Sequence, residues 1–271
     1  MTYGPNPWQQ TQWDWRAAGN FMGGGAGAGL IVFAVLSGSA ASWLLLLTGV
    51  ALVGAGLFCV LLEIGRPLRA LRVFVNPRNS WMSREAIVAT LLMPATLAAA
   101  MGLPGTRWLA GALALAFVYC QSRILRAATG IPAWREPLVV PLMVLTGLTE
   151  GAGLALLFQP AQAFNEPLVL ALTCALAFAR LGVSWAYQRR LNARALAALE
   201  TPVRWMQIAD AAAVSLLLVL SASGTAAPPL IASAGLLLAA TGAGLKYALI
   251  TRAAFNQGFA LAHLPVRGVR R

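Results

Sequence analysis

The chain has 271 residues, of which 59% are hydrophobic and only 10% are charged, and its formal net charge is +12. Soluble domains carry roughly 25% charged residues, so this composition excludes an ordinary soluble domain. The basic residues lie mainly in short connections between apolar runs, which argues against a nucleic-acid-binding protein. The composition predicts an all-α integral membrane protein.

Eight apolar runs are long enough to cross a hydrocarbon core of roughly 30 Å as helices. They lie at about 17–38, 43–62, 86–103, 108–125, 138–158, 167–187, 206–223 and 229–250, and the seventh is the shortest and least apolar. We expect a single membrane domain built from two four-helix bundles, residues 17–125 and 138–250.

The basic residues predict the orientation of these helices. Of the 20 Lys and Arg, all but Arg107 lie in the N-terminal segment, the connections after runs two, four and six, or the C-terminal end. This distribution counts Arg180 and Lys246 with the helix ends near which they lie. Because cytoplasmic segments carry the excess of basic residues, it predicts that both termini are cytoplasmic, as in a multi-pass protein of the bacterial inner membrane.

Several cofactor classes are disfavoured by what the sequence lacks. The single histidine, His263, lies in the C-terminal tail, whereas a b-type haem between membrane helices needs two axial ligands, most often histidines. Cys59, Cys120 and Cys174 are solitary, without the paired spacing of a zinc or iron–sulfur site. We therefore expect no haem, no metal site and no iron–sulfur cluster in this chain, so any electrons must come from a partner.

Polar residues cluster at the predicted cytoplasmic ends of the first four helices. Four consecutive helices could bring them together at one depth, as a site. The residues are Asn20, Glu63, Arg84, Glu85, Tyr119 and Arg123. Alternatively, Glu63 pairs with Arg66 one turn on, Arg84 extends to the surface and Tyr119 belongs to the interfacial aromatic residues.

Glu150 lies about 12 residues into the fifth predicted helix, or roughly 18 Å along it. A charge at that depth costs several kcal/mol on insertion scales, so such residues are usually functional or paired. Arg180 is a candidate partner, a protonated Glu150 bonded to backbone is the alternative, and Asp210 is expected at the interface. In the first helix, Gly23, Gly27 and Gly29 belong to two series at four-residue spacing that predict close helix packing.

Two segments carry a resemblance to a known family. The stretch "EIGRPLRALRVFVNPRNSWMSREA" and residues 119–154, "YCQSRILRAATGIPAWREPLVVPLMVLTGLTEGAGL", resemble the membrane anchor subunits of polysulfide reductase and dimethyl sulfoxide reductase, the NrfD-like and related anchors. The family's glycine-rich first helix also fits. The resemblance covers residues 13–154 well, whereas the last four helices match mainly in number and hydropathy.

This resemblance implies a membrane anchor that exchanges electrons with menaquinone or ubiquinone. A large catalytic partner would hold a molybdenum or tungsten bis-pterin, and a ferredoxin-like partner would carry 4Fe-4S clusters. Because the loop at residues 63–85 is predicted cytoplasmic, the soluble partners are expected on that side, as in phenylacetyl-CoA:acceptor oxidoreductases or sulfite dehydrogenase-like complexes. The resemblance does not give the substrate.

Tyr119 matches the family's helix-four tyrosine that binds a quinone carbonyl, and Asn20 is placed like the helix-one asparagine on the same pocket. Family histidines on helices one and two are absent here, and Glu63 is our substitute for the second. Arg84 or Arg123 would stabilise negative charge on a reduced headgroup, and the proton relay would use Glu63, Glu85 and Glu150.

Docking of the iron–sulfur partner is expected on the loop 63–85 and on the turn after helix four. The residues predicted to take part are Arg66, Pro67, Arg69, Arg72, Asn76, Pro77, Trp81, Trp134 and Arg135. Anionic lipid is the other reading of the basic residues. The main rival function is a polytopic small-molecule or ion transporter, which Glu150 at mid-depth would suit.

Overall fold

The structure is a computed structural model that describes residues 7–38, 42–64 and 67–258, with only the backbone described at residues 64 and 67–69. His263 and Arg66 therefore lie outside the described residues. The regular secondary structure of the described part is helical, apart from one isolated β-bridge between Gln9 and Phe255.

Ten α-helices follow one another in the described chain, with one 3₁₀ helix, Pro67–Val75, between the second and third. They are α1 (Trp15–Leu36), α2 (Ser42–Ile64), α3 (Trp81–Ala100), α4 (Thr106–Ala127), α5 (Pro132–Arg135), α6 (Val139–Phe158), α7 (Pro160–Asn165), α8 (Pro167–Gln188), α9 (Ala193–Ser223) and α10 (Pro228–Thr251).

Local sequence explains where these helices begin. The Asp14 side chain accepts a hydrogen bond from the Arg16 backbone N–H at 2.8 Å, and Asn192 accepts one from Ala195 N–H at 2.7 Å. Both satisfy backbone donors that a first helical turn leaves unpaired. Pro167 and Pro228 stand in the first turn of α8 and α10, where a missing N–H costs nothing.

Seven of the described helices are long and apolar enough to cross a membrane: α1, α2, α4, α6, α8, α9 and α10. Each matches one of the predicted spans, so the all-helical membrane architecture is confirmed. The predicted span 86–103 does form a helix, α3, but it is not among the seven. Its 20 residues include Arg84, Glu85, Thr90 and Pro94, which lower its hydropathy.

The prediction for the seventh span was wrong in its length. We expected the shortest run at 206–223, but α9 begins at Ala193 and has 31 residues, the most of any described helix. Asn192 caps the start of α9, and the helix continues through Pro202. Charged residues such as Arg194, Glu200 and Arg204 hid this extension from a search for apolar runs.

The core consists of two apolar clusters, one at each end of the bundle. The first cluster includes Phe33 and Phe117, and the second includes Phe21 and Trp134. Between them, α1, α4, α6, α8, α9 and α10 present glycines and buried polar side chains. This central layer contains Gly24, Gly25, Gln121, Glu150, Arg180, Asp210, Gly242 and Lys246.

Glycines bring α1 close to its neighbours, which confirms their predicted packing role. A methyl group at Gly27 would meet the α2 backbone at Gly49 and Val53. At Gly29, a methyl group would overlap the Gly147 carbonyl of α6, and at Gly151 it would overlap the Gly29 backbone. The α1–α6 contact therefore joins the two halves of the chain backbone to backbone.

We expect Gly151→Ala to destabilise the protein, because the added methyl forces α6 away from α1. Overpacking of this kind costs about 1–3 kcal/mol. The matched control is Gly182→Ala on α8, where a methyl group meets no atom within 4 Å and the helix propensity improves. Thermal unfolding in detergent should show a lower midpoint for Gly151→Ala alone; equal midpoints for both variants would contradict the tight α1–α6 contact.

Candidate functional site

A cavity of about 440 Å³ lies where α1, α2 and α3 meet beneath the 3₁₀ helix. Its wall is largely apolar, with Phe21, Leu57, Val60 and Leu61 among the lining side chains. Ala70 and Val73 of the 3₁₀ helix also line it. The charged loop of the sequence thus folds over a cavity, with small and apolar residues turned toward it.

Asn20, Glu63 and Glu85 supply the amide and carboxyl groups of this cavity. Asn20 is 4% exposed, and its Oδ1 has no hydrogen-bond partner within the described structure. A buried acceptor without a donor is costly. This oxygen is therefore suited to receive a hydrogen bond from a group bound in the cavity.

Glu85 lies in the first turns of α3 and is 6% exposed. Gln121 of α4 donates from Nε2 to Glu85 Oε1 at 3.4 Å, and the Asn20 side chain also hydrogen-bonds Glu85. Gln121 Nε2 donates in addition to the Asn20 carbonyl oxygen, at 3.0 Å. Gln121, which no sequence pattern marked, thus holds both polar groups of the inner wall.

Glu63 occupies the last turns of α2 and is half-buried. Arg16 donates to the Leu62 carbonyl oxygen at 3.3 Å and forms an ion pair with Asp14 at 2.8 Å. The hydrogen bonds from Arg16 lower the pKa of the Asp14 carboxyl below its usual value. Glu63 is therefore the most accessible carboxyl of the cavity.

The remaining predicted site residues form a second group around Trp81. Arg84 and Arg123 stack over the Trp81 ring at 4.1 and 4.4 Å, and Tyr119 meets that ring edge-on with centroids 5.8 Å apart. Arg123 also donates to Tyr119 Oη at 2.8 Å. None of these four residues is among the cavity-lining residues, so the described structure divides the predicted site in two.

The predicted docking residues are distributed unevenly. Arg72 and Asn76 are exposed, while the Pro77 carbonyl oxygen accepts a hydrogen bond from Arg84 Nε at 2.8 Å. Pro67 and Arg69 belong to the 3₁₀ helix, where their side chains are not described.

The turn after α4 offers less surface than the sequence suggested. Trp134 is only 2% exposed. Its Nε1 donates to the Leu249 carbonyl oxygen at 2.9 Å, and its ring packs 4.9 Å from that of Trp13. Trp134 thus packs inside the protein, while its neighbour Arg135 is half-buried.

Two buried ion pairs occupy the central layer. Lys246 Nζ lies 2.5 Å from Glu150 Oε2, and both side chains are 1% exposed. Arg180 forms a bidentate pair with Asp210, with Nε to Oδ2 at 2.9 Å, and both side chains are fully buried. Pairing and added hydrogen bonds are what make such buried charges tolerable.

These pairs correct two expectations. Glu150 pairs with Lys246 instead of the candidate Arg180, and Asp210 lies in the core instead of at the interface. Lys246 was missed because it stands near the end of an apolar run and was counted with the cytoplasmic charges. The pairing could have been predicted from the number of charges inside the apolar runs, because two acids, Glu150 and Asp210, stand there with two bases, Arg180 and Lys246.

No protein-family model matches the chain, and no curated protein matches it in sequence. The class of protein is nevertheless defined by the fold, which is that of an α-helical membrane protein. The resemblance of its loops to the NrfD-like anchors stays a prediction.

Removing one partner of the Arg180–Asp210 pair should destabilise the protein more than removing both. Asp210→Asn leaves a buried guanidinium without its counter-charge, so we expect a loss of about 3–5 kcal/mol in the free energy of unfolding. The double variant Arg180→Met/Asp210→Leu removes both charges and should recover most of that loss. Unfolding midpoints in detergent measure both effects.

The control for this prediction is Arg190→Gln. Arg190 is 64% exposed and lies 3.8 Å from Glu136, so its pair should contribute less than about 1 kcal/mol. If Asp210→Asn were as mild as Arg190→Gln, the described Arg180–Asp210 geometry would be wrong.

Proposed function

We propose that this protein is the membrane anchor and quinone-reactive subunit of a molybdenum or tungsten bis-pterin oxidoreductase complex. The observation that carries the proposal is the apolar cavity with Asn20, Glu63 and Glu85 in its wall, beneath the basic loop. The resemblance of that loop and of residues 119–154 to the NrfD-like anchors supports the same function. In this proposal the chain does no substrate chemistry on its own.

The cavity suits the chemistry of a quinone. A quinone headgroup takes up two electrons and two protons when it is reduced, whereas its isoprenoid tail needs an apolar surface. The unpartnered Oδ1 of Asn20 can accept a hydrogen bond from a quinol hydroxyl. Glu63 and Glu85 can hold and exchange protons on two sides of the same cavity. The apolar wall from α2 would receive the tail.

Electrons would reach the cavity from a soluble iron–sulfur partner. The 3₁₀ helix that lines the cavity from above also carries Arg72 on its exposed side. A partner that docks on this loop would therefore stand directly over the cavity, with Arg84 and Arg123 beside it to meet acidic groups. In this proposal the docking surface consists of the loop 63–85 and excludes the buried Trp134.

We also propose that α3 is an eighth membrane span. Its 20 residues would measure about 30 Å, which equals the usual hydrocarbon thickness. With eight spans both termini lie on the same side, and the basic loops put that side in the cytoplasm of a bacterial inner membrane. The charged start of α3 would then lie at the cytoplasmic face with the cavity.

A small-molecule or ion transporter is the second candidate. Two ion pairs deep inside the bundle favour this function: Glu150–Lys246 and Arg180–Asp210. Charges inside a membrane often mark transport pathways. A transporter would act alone or as a homo-oligomer, whereas an anchor needs its partners.

Binding of quinone analogues to the purified protein tests the cavity assignment. Quenching of tryptophan fluorescence by decylubiquinol, whose hydroxyls can donate to Asn20 Oδ1, should reveal a saturable site, since Trp13 lines the cavity. We expect Asn20→Leu and Glu85→Leu each to weaken binding about two- to tenfold, the effect of losing one hydrogen bond. Thr241→Val, which removes a hydroxyl bonded only within α10, should leave the affinity unchanged.

Tyr119→Phe tests whether the quinone headgroup binds in the cavity or beside the group of residues around Trp81. If the headgroup binds in the cavity, this variant should keep the wild-type affinity. Weaker binding in Tyr119→Phe together with normal binding in Asn20→Leu would move the quinone site to the Trp81 group. Absence of saturable quenching in the wild-type protein would contradict the quinone function itself.

A further inference from the structure

A row of buried polar side chains leads from the cavity into the centre of the bundle. It comprises Glu85 on α3, Gln121 on α4, Lys246 on α10 and Glu150 on α6. Their exposed fractions are 6%, 2%, 0% and 1%. Four polar groups on four helices are costly to bury, so their alignment needs a reason beyond packing.

The first part of the row joins the cavity to α4. Gln121 Nε2 lies 3.4 Å from Glu85 Oε1, and the other end of the same amide, Oε1, faces Gly25 of α1. A methyl group at Gly25 would lie 3.2 Å from Gln121 Oε1, and at Gly24 it would lie 2.6 Å from Gln121 Nε2. The two glycines therefore provide the space that this amide occupies.

The second part of the row joins α4 to the central ion pair. Lys246 Nζ also lies against Gly25, where a methyl group would overlap it. The ammonium donates to the Phe21 carbonyl oxygen at 3.0 Å and to Glu150 Oε2 at 2.5 Å. Gly25 thus faces both the Lys246 ammonium and the Gln121 carbonyl oxygen, and its missing side chain leaves them neighbours.

Glu150 has a second cation within reach at the far end of the row. Its Oε1 is buried and has no hydrogen-bond partner within the described structure. A methyl group at Gly242 would lie 2.7 Å from this oxygen and 2.8 Å from Arg180 Nη1. Arg180 itself is neutralised by Asp210. Within the described residues, Arg84 and Cys120 also lie near Glu85, and Glu63 lines the same cavity.

We propose that Glu85, Gln121, Lys246 and Glu150 form a proton store for the cavity. When Glu85 gives its proton to a group in the cavity, an N–H bond of the Lys246 ammonium breaks and the O–H bond of Glu85 forms again. Lys246 becomes a neutral amine, whose two remaining N–H groups can still donate to the Phe21 carbonyl oxygen and to Glu150 Oε2. The reverse transfer refills the store, so one proton moves and no electrons are needed.

Within this store Gln121 is a positioning residue. Its amide donates to Glu85 Oε1 and to the Asn20 carbonyl oxygen, and its Oε1 lies on the side of Gly25 that Lys246 Nζ also faces. The biological use of the store rests on the proposed quinone chemistry, because that chemistry consumes or releases protons in the cavity. The exchange between Glu85 and Lys246 is a property of the chain itself and can be tested without quinone.

Infrared titration of the purified protein tests the exchange. The C=O band of protonated Glu85 is identified as the band that Glu85→Gln lacks, and its loss is followed with rising pH. Lys246→Met/Glu150→Gln removes both charges of the pair, of which the Lys246 ammonium, beside Gln121 at Gly25, is the one nearer to Glu85. Loss of this ammonium disfavours the Glu85 carboxylate, so the midpoint should move up by about one pH unit. Gln121→Leu should move it in the same direction while both ion pairs stay intact.

The matched control is Arg180→Met/Asp210→Leu, which also removes a buried pair but leaves the row itself unchanged. Its Glu85 midpoint should equal that of the wild type. An unshifted Glu85 midpoint in Gln121→Leu, or in a folded Lys246→Met/Glu150→Gln, would overturn the proton store. That result would not contradict the proposed quinone binding. Conversely, absence of quinone binding would not contradict a measured shift of the Glu85 midpoint.

Discussion

The burial of four charges in one layer between two apolar clusters is the constraint on which this structure depends. Each ion placed in that layer loses its hydration, and only close pairing offsets the loss. Glu150 and Lys246 therefore fix α6 against α10, and Arg180 and Asp210 fix α8 against α9. Gly242 lies between the two pairs and leaves room for both.

The glycines of α1 connect this layer to the cavity. Because Gly24 and Gly25 have no side chains, Gln121 and Lys246 can reach the carbonyl oxygens of Asn20 and Phe21. The turn of α1 that lines the cavity is thus the turn that holds the interior polar groups. A change of charge in the cavity would alter the electrostatic potential at the Glu150–Lys246 pair, which lies on the other side of this turn. This coupling is the physical basis of the proposed proton store.

Hydropathy was enough to predict the helices, because a run of about 20 apolar residues has few alternatives in a bilayer. It failed at α9, where charged residues extend the helix beyond its apolar part, and it gave no warning that α3 is less apolar than the others. Depth was predictable for Glu150, which was recognised as an intramembrane charge, but not for Asp210, because α9 begins at Ala193, well before the apolar run.

Rotation about each helix axis was not predictable from depth. Tyr119 and Arg123 stand four residues apart and share one face of α4, while Gln121 points to the interior from another face. Nothing in the sequence pattern marked the face of α4 on which Gln121 lies. The partner of Glu150 was missed for the same reason, because pairing depends on which faces of α6, α8 and α10 meet.

The proposal that the chain anchors soluble redox partners is tested most directly by isolating it from native membranes. The tagged protein would be purified in mild detergent, and its companions would be identified by mass spectrometry with analysis for iron, molybdenum and tungsten. The proposal predicts two soluble partners that bring many irons and one molybdenum or tungsten. A metal-free protein that purifies alone would contradict it and would favour a transporter with Glu150 at its centre.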